Sequence, residues 1–438
     1  MRTYNKKFLI AATFILIAFA LNFQHRINYD EGMVLNGAWN LYNGKTLYKD
    51  FFEFIGPAAL YPVYAIFLLF SPTYFNALIF SILFLLLSSY YIYKIVKLLI
   101  VDEFWPYIAS LGWIVVASVS YPLINHNTYS SFLAIIFLYY FLLFIQYKKN
   151  WLSFLSGSLA ALIFYFLQTK GVAIAFASVI FLAFLIYKKY LYTKNILPFF
   201  SGYALIFFAG FFAWGINPIT DPLTVGSGYI EITYYTISLT PFFLFLIVFL
   251  CILLLLIRKK LLNAKIGLII IMQFFLLLSI LNNPDTWHVY TNSFCAIILL
   301  IILLRTIFLQ LNIFIKKFIF APATCAILLY MLIYTPIGHY NHSLFISNGL
   351  QKIKDVVGEE KIYTFPFAPN LYFELQKNNP YYSSNLIEKN SPPKHFEKNL
   401  AILKNENPKF IITDYSTVKK YRHSYKNIID EYIRENYK

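Results

Sequence analysis

The chain has 438 residues, of which 59% are hydrophobic, 20% are aromatic and only 13% are charged. Its mean hydropathy is +0.62. A soluble protein of this length needs more polar surface to cover its core, so the composition excludes an ordinary soluble enzyme. The net charge of +16 would suit a nucleic-acid-binding protein, but the Lys and Arg residues stand in short segments between apolar runs. The sequence therefore predicts a protein of the lipid bilayer that binds no nucleic acid.

Apolar runs long enough to cross roughly 30 Å of hydrocarbon as a helix recur along the chain. The sequence predicts eleven transmembrane helices, at 8–24, 73–97, 104–123, 128–147, 151–168, 171–187, 196–214, 237–257, 265–281, 290–309 and 318–334. A shorter stretch, 57–70, contains Pro62 and is predicted to be an interfacial or re-entrant helix. Residues 1–24 also resemble a signal peptide, but the long aromatic run favours an uncleaved span. The predicted fold is a mainly α, polytopic membrane helix bundle.

The basic residues predict the side of the membrane on which each loop lies. Lys and Arg are concentrated before the first span and after alternate spans, at 2–7, 94–97, 148–149, 188–194, 258–265 and 305–317. The opposite loops contain only Arg26, Lys45, Lys49 and Lys170. By the positive-inside rule the first group is cytoplasmic, so the N-terminus is predicted inside and the residues after the last span outside.

The acidic residues have the opposite distribution. Of the nine that precede residue 335, only Asp102 and Glu103 fall on the predicted cytoplasmic side. The other seven fall on the predicted outer side, and so do three histidines: Asp30, Glu31, Asp50, Glu53, Asp221, Glu231, Asp285, His25, His126 and His288. Groups that can do acid–base, metal or phosphate chemistry are thus predicted to meet on the periplasmic or extracellular side of the cell membrane.

The composition becomes that of a soluble protein near residue 335. The sequence therefore predicts two domains, a transmembrane domain at 1–334 and a small extracytoplasmic α/β domain at 335–438. Within the second, 361–366 and 409–414 are predicted strands, and stretches near 343–357, 394–405 and 424–435 are predicted helices. Its His339, His342, Asp414 and His423 show no recognisable spacing and are predicted to be surface residues.

The first outer loop, 25–56, is the most polar segment of the predicted transmembrane domain. It begins with Asp30-Glu31-Gly32 and continues through an amphipathic stretch to an Asn43-Gly44 turn, followed by Lys45, Tyr48, Asp50 and Glu53. Acidic residues are also common in the first turn of a helix, where they favour the helix dipole, so a purely structural role for Asp30-Glu31 is an equal alternative.

This loop resembles that of the membrane-embedded C-type glycosyltransferases that use polyprenyl-phosphate sugars, among them the protein O-mannosyltransferases and the lipid A aminoarabinose transferases. The resemblance rests on three motifs in order: Asp30-Glu31-Gly32, Gly44-Lys45-Thr46-Leu47-Tyr48-Lys49-Asp50 and Gly56-Pro57. It extends to span number, to Thr169-Lys170-Gly171 and to Asp285–His288. Gly56-Pro57 replaces the Pro-Pro of many members, and no Arg follows Asp30-Glu31.

The resemblance implies an inverting transfer of a sugar from a polyprenyl-phosphate donor to an acceptor hydroxyl on a glycan, a lipid or a protein. Asp30 would act as general base, and Glu31 would support it or hold a cation. Residues that would bind the substrate or the departing phosphate are Lys45, Tyr48, Asp50, Lys170, Asp285 and His288. The resemblance does not fix a cofactor, and related aminoarabinose transferases suggest a divalent metal at Glu53 and His288.

Each of these residues also has a plainer interpretation. Lys45 would simply solvate a turn, Lys170 would extend to the membrane edge, and 283–288 would be a polar turn anchored by Trp287.

Other classes of protein also remain open. A cell-surface polysaccharide polymerase or ligase usually relies on a large late loop, a lipid-linked substrate transporter needs polar helices at mid-depth, and a scaffold needs no acidic face. The sequence identifies neither the sugar nor the acceptor.

Overall fold

A computed structural model gives the structure of the protein. It describes residues 2–22, 27, 29–120, 122–220, 239–281, 283–311, 349–388, 391–415, 418 and 425–437. The described chain is mainly helical, with one small sheet near the C-terminal end. The eleventh predicted span, 318–334, lies outside the described residues, and so do His25, Asp221, Glu231, His339, His342 and His423.

The apolar runs fold into helices. In chain order they are α1 Arg2–Asn22, α2 Tyr29–Tyr42, a 3-10 turn Pro57–Ala59, α3 Tyr61–Leu69, α4 Tyr74–Leu99, α5 Phe104–Ser120, α6 His126–Tyr147, α7 Asn150–Phe166, α8 Gln168–Tyr187, α9 Thr193–Trp214, α10 Thr240–Arg258, α11 Ala264–Leu278, α12 Thr286–Thr291 and α13 Phe294–Gln310. Five of these, α4, α6, α8, α9 and α10, are long and apolar enough to cross a membrane. Each of the other predicted spans in the described chain coincides with a shorter apolar helix.

Contacts between side chains group the helix ends into two sets. At one end, the Lys265 Nζ atom lies 2.7 Å from Gln146 Oε1, and the Lys259 Nζ atom lies 2.7 Å from Gln310 Oε1. Arg305 and Asp102 meet there at 3.7 Å. We call this the basic end, because it collects the lysine-rich loops. The first residues of α6 and α8 lie at the opposite end, so the two groups of titratable residues separate as the charge pattern predicts.

The helix α2 lies in the first half of the first loop and is buried almost throughout. Residues 31–41 are all buried, so neither side of this amphipathic stretch is exposed to solvent. Its glycines explain how both sides are covered. A Cβ atom on Gly32 would lie 2.6 Å from the Cβ atom of Asn370, and one on Gly37 would lie 2.7 Å from the Cδ2 atom of Leu60. The helix is therefore held between the bundle and the C-terminal segment.

The C-terminal segment, residues 349–437, contains a two-stranded parallel sheet. Strand β1, Ile362–Pro366, pairs with β2, Phe410–Asp414, in the register Ile362 to Phe410. A parallel pair needs a crossover connection, and α15, Pro393–Glu406, lies within it. The remaining helices are 349–357, α14 Asn370–Glu374 and α16 Ile428–Asn436. Both predicted strands are present within one residue of their expected bounds, and they belong to a hydrophobic cluster separate from that of the bundle.

Candidate active site

Asp30 and Glu31 lie in the first turn of α2. This is the position that the helix-dipole alternative also predicts, but Glu31 is fully buried, which a dipole contact does not require. The Glu31 carboxylate is close enough to act electrostatically on the hydroxyls of Tyr74 and Tyr129, at the starts of α4 and α6. Tyr129 in turn shares a hydrogen bond of 2.7 Å with Ser81. The acidic pair therefore faces the end of the bundle opposite to the basic end.

The C-terminal segment covers the start of α2. The Tyr29 hydroxyl donates a hydrogen bond to Asp414 Oδ2, and the Tyr29 ring stacks on Phe367 with a centroid distance of 5.5 Å. Asp414 is therefore not the surface residue that the sequence predicts. Asn370 packs against Gly32 and donates from its Nδ2 atom to Glu374 Oε1 at 2.6 Å. Residues from two distant parts of the chain thus border the acidic pair.

The three polar residues of the following turn have partners in the turn itself and in the C-terminal segment. Lys45 Nζ donates to the Asn379 carbonyl, and burial lowers the pKa of Lys45 to about 8. The exposed Asp50 accepts a hydrogen bond from the Thr46 amide at 2.8 Å, which holds the pKa of Asp50 below its usual value. The Tyr48 carbonyl accepts from the Tyr382 hydroxyl at 3.4 Å. These contacts support docking of the C-terminal segment more directly than phosphate binding.

Glu53 is buried at the same junction. The Ser384 Oγ atom donates to Glu53 Oε1 at 3.3 Å, and Asn36 Nδ2 donates to Ser384 Oγ at 3.1 Å. Burial raises the pKa of Glu53 to about 8, and the hydrogen bonds from Ser384 and Asn36 offset only part of that shift. Burial therefore favours the protonated form of Glu53. Metal ligands must be deprotonated, so a metal at Glu53 and His288 would have to displace this proton. Among the described residues, no group of three or more His, Cys, Asp and Glu side chains is arranged to hold a metal.

Lys170 lies inside the bundle, in the first turn of α8. Its side chain is fully buried, so it does not extend to the membrane edge. The Nζ atom donates to the Asn127 carbonyl at 3.0 Å and to Ser131 Oγ at 2.6 Å, both on α6. A buried ammonium group held by two neutral acceptors has hydrogen bonds but no countercharge in these contacts, which favours an anion nearby.

Two histidines lie near this ammonium group. His126, the first residue of α6, is buried and within electrostatic range of both Lys170 and His288. Asp285 caps α12 by accepting from the His288 amide at 2.9 Å, and its Oδ1 atom lies 2.8 Å from His288 Nδ1. Asp285 and His288 therefore lie on the same side of this turn. A hydrogen bond of 2.7 Å from Ser131 to the Thr291 carbonyl joins α12 to α6.

Several buried polar atoms around this cluster have no hydrogen-bond partner within the described chain. They are Asn125 Nδ2, His126 Nδ1 and Asn292 Oδ1. Buried polar groups are nearly always hydrogen-bonded, so water or a ligand is needed to satisfy these atoms. We call Lys170, His126, His288 and Asp285 the Lys170 cluster. The sequence places His126 on the outer side but gives it no role. Its position between two other titratable groups depends on how α6, α8 and α12 pack.

Comparison with known proteins adds no relative at this point. No family model matches the chain, and no curated protein matches it significantly.

Proposed function

We propose that the protein is an inverting glycosyltransferase that moves a sugar from a polyprenyl-phosphate donor to an acceptor hydroxyl. The observation that carries the proposal is the buried ammonium group of Lys170 beside two histidines, at the same end of the bundle as Asp30 and Glu31. Departure of a lipid phosphate creates negative charge, and fixed hydrogen-bond donors in a water-poor site stabilise such charge strongly. The first loop supplies the carboxylates, and the bundle supplies the hydrogen-bond donors.

Asp30 is the general base in this proposal. It takes the proton from the acceptor hydroxyl while the anomeric carbon is attacked, and the phosphate leaves from the opposite face with its electron pair. Glu31 is buried beside Asp30 and acts through the tyrosines of α4 and α6 that surround it. Lys170 and the His126–His288 pair receive the charge of the phosphate. No step requires a metal, and one at Glu53 and His288 stays a prediction.

The membrane topology is part of the same proposal. Five helices are of full spanning length. Six further apolar helices are shorter, if the 3-10 turn and α3 are taken as one. We propose about eleven spans in all, with the N-terminus in the cytoplasm and with the C-terminal segment and the active site on the periplasmic or extracellular side. The supporting observation is the separation of lysine-rich loops at the basic end from the acidic and histidine residues at the other end.

The test is release of sugar from a panel of polyprenyl-phosphate sugars by the purified full-length protein in detergent. The wild type should turn over one donor, and Asp30→Asn should lose turnover while still binding it. Asp355→Asn, which changes an exposed carboxylate in the helix 349–357, is the matched control and should keep full activity. A folded wild type that neither binds nor turns over any donor would contradict the proposal and favour a polymerase, a ligase or a transporter.

A further inference from the structure

A groove of about 530 Å³ opens at the basic end between α8 and α11. Its walls are apolar and include Phe181, Leu185 and Ile271, while its mouth is formed by Lys188, Tyr190 and Asn263. Cavities that bind small molecules generally have volumes of roughly 300–1,000 Å³, with apolar walls and a few polar groups. The groove therefore has the size and lining of a ligand site.

A glycine keeps the groove open at the mouth, and a stacked pair of aromatic rings closes it toward the middle of the helices. Gly267 lies on α11 at its floor, where an added Cβ atom would meet only the Phe181 ring, at 3.9 Å. Two turns beyond, the rings of Phe176 and Phe275 stack with a centroid distance of 6.5 Å and bring α8 and α11 together. An elongated apolar group can thus enter from the basic end and extend about 12 Å along α11, from Asn263 to Ile271.

Positive charge surrounds the mouth. Lys188 follows the last turn of α8 and is exposed. The Lys148 Nζ atom lies 4.1 Å from the centre of the Tyr190 ring, so a second ammonium group stands beside the same opening. Lysine and tyrosine are typical of the membrane–water interface, where the ammonium groups meet lipid phosphates. The ligand that complements this site has an apolar chain and an anionic head.

The groove is separate from the Lys170 cluster. Lys170 and Lys188 stand at opposite ends of α8, eighteen residues and roughly 27 Å apart along the helix axis. A lipid whose phosphate lies at Lys188 cannot also present that phosphate to Lys170. The groove is therefore not the site of the proposed donor phosphate.

We infer that this groove is a binding site for an anionic phospholipid of the surrounding bilayer, with an acyl chain between α8 and α11 and the phosphate at Lys188. The inference needs the helices to be in a membrane but does not depend on sugar transfer. Loss of one ammonium contact near an anionic lipid is worth about a fivefold change in affinity.

The experiment compares phosphatidylglycerol with phosphatidylcholine of identical acyl chains. Lipid retained by the purified full-length protein is counted by native mass spectrometry over a concentration series. Wild type should bind phosphatidylglycerol more tightly, and Lys188→Gln should weaken that binding about fivefold without changing phosphatidylcholine binding. Gly267→Leu should fill the groove and reduce binding of both lipids.

Two matched controls separate the groove from general effects. Lys194→Gln removes an exposed lysine of the same end, outside the groove, and Gly112→Leu enlarges a helical glycine that has open space around it. Both should bind lipid like the wild type. Equal binding of the two lipids, or a preference that survives in Lys188→Gln, would overturn the inference. So would displacement of phosphatidylglycerol by an equal concentration of polyprenyl phosphate, since the groove would then hold the carrier.

Discussion

The Tyr29 hydroxyl donates a hydrogen bond to the carboxylate of Asp414, which joins the residue before Asp30 to the end of strand β2. The two residues are separated by 385 positions in the chain. The start of α2 therefore takes its place from the C-terminal segment as well as from the bundle. If Asp30 is the base, its alignment depends on this contact.

A double-mutant cycle tests this contact. Tyr29→Phe and Asp414→Asn should each lower the free energy of unfolding. The double variant should lose about 1–3 kcal/mol less than the sum of the two single losses, because both single variants remove the same hydrogen bond to a charged group. In sugar release, each should lower kcat more than it changes KM, as expected for positioning residues. Additive effects in thermal or chemical unfolding would show that the two side chains are not coupled.

Gly32 tests how closely α2 and the C-terminal segment pack. In Gly32→Ala the new methyl group would lie 2.6 Å from the Cβ atom and 2.8 Å from the backbone nitrogen of Asn370, so the two segments must move apart and thermal stability should fall. Gly112→Ala, in α5, is the control. It has open space around it and should be neutral or stabilising, by about 0.5–1 kcal/mol. Equal melting temperatures for the two variants would contradict the close contact.

Glu53 should make stability depend on pH in a defined direction. Its pKa rises from 4.5 in the unfolded chain to about 8 in the folded protein, so the folded state binds the extra proton between these values. The contribution of Glu53 to stability should therefore be greatest at the acidic side of this window, fall as the pH rises toward 8 and then level off, with a total loss of roughly 5 kcal/mol at most. Melting temperatures across the window measure the slope.

Two variants identify the source of that slope. Glu53→Gln cannot ionise and should be flatter across the same window. Asp50→Asn should keep the wild-type slope, because the pKa of Asp50 is lowered from 3.8 and the residue titrates below the window. A wild-type slope retained in Glu53→Gln would assign the effect to another group.

Lys170 should matter for activity and not for stability. Lys170→Met keeps the aliphatic chain but removes a buried ammonium group, so kcat/KM should fall about a hundredfold while the melting temperature is unchanged or raised. Lys194→Met changes an exposed lysine and should alter neither. A folded Lys170→Met protein with wild-type turnover would remove Lys170 from the proposed phosphate site.

Asp285 combines two roles that a pair of variants can separate. Asparagine is a good helix cap, so Asp285→Asn should keep the stability of α12 but lose the charge beside His288. Asp285→Ala should lose both, with a further cost of about 0.5–2 kcal/mol in stability. If the charge serves the reaction, the two variants should lose similar activity. Activity retained in Asp285→Asn alone would show that only the cap matters.

Local patterns explain what the sequence predicts well. Hydrophobic runs form helices because a helix satisfies its own backbone and exposes apolar side chains all round, and the strands at 362–366 and 410–414 follow from equally local patterns. Asp285 and His288 also meet through local geometry, since residues three apart lie on the same side of a turn. The amphipathic pattern of α2 does not predict its complete burial, because the apolar and polar sides both found partners outside the helix.

The sequence by itself determined the membrane class, the positions of the apolar helices and the separation of lysine-rich loops from acidic ones, because each depends on composition or on neighbours a few residues apart. Only the tertiary structure decided the partners of the key polar groups. Glu53 meets Ser384 across 331 positions, and Lys170 meets Asn127 across 43. Burial and hydrogen-bond partners are properties of packed helices, so the buried acid at Glu53 and the enclosed ammonium group of Lys170 exist only once α2, α6, α8 and the C-terminal segment are together.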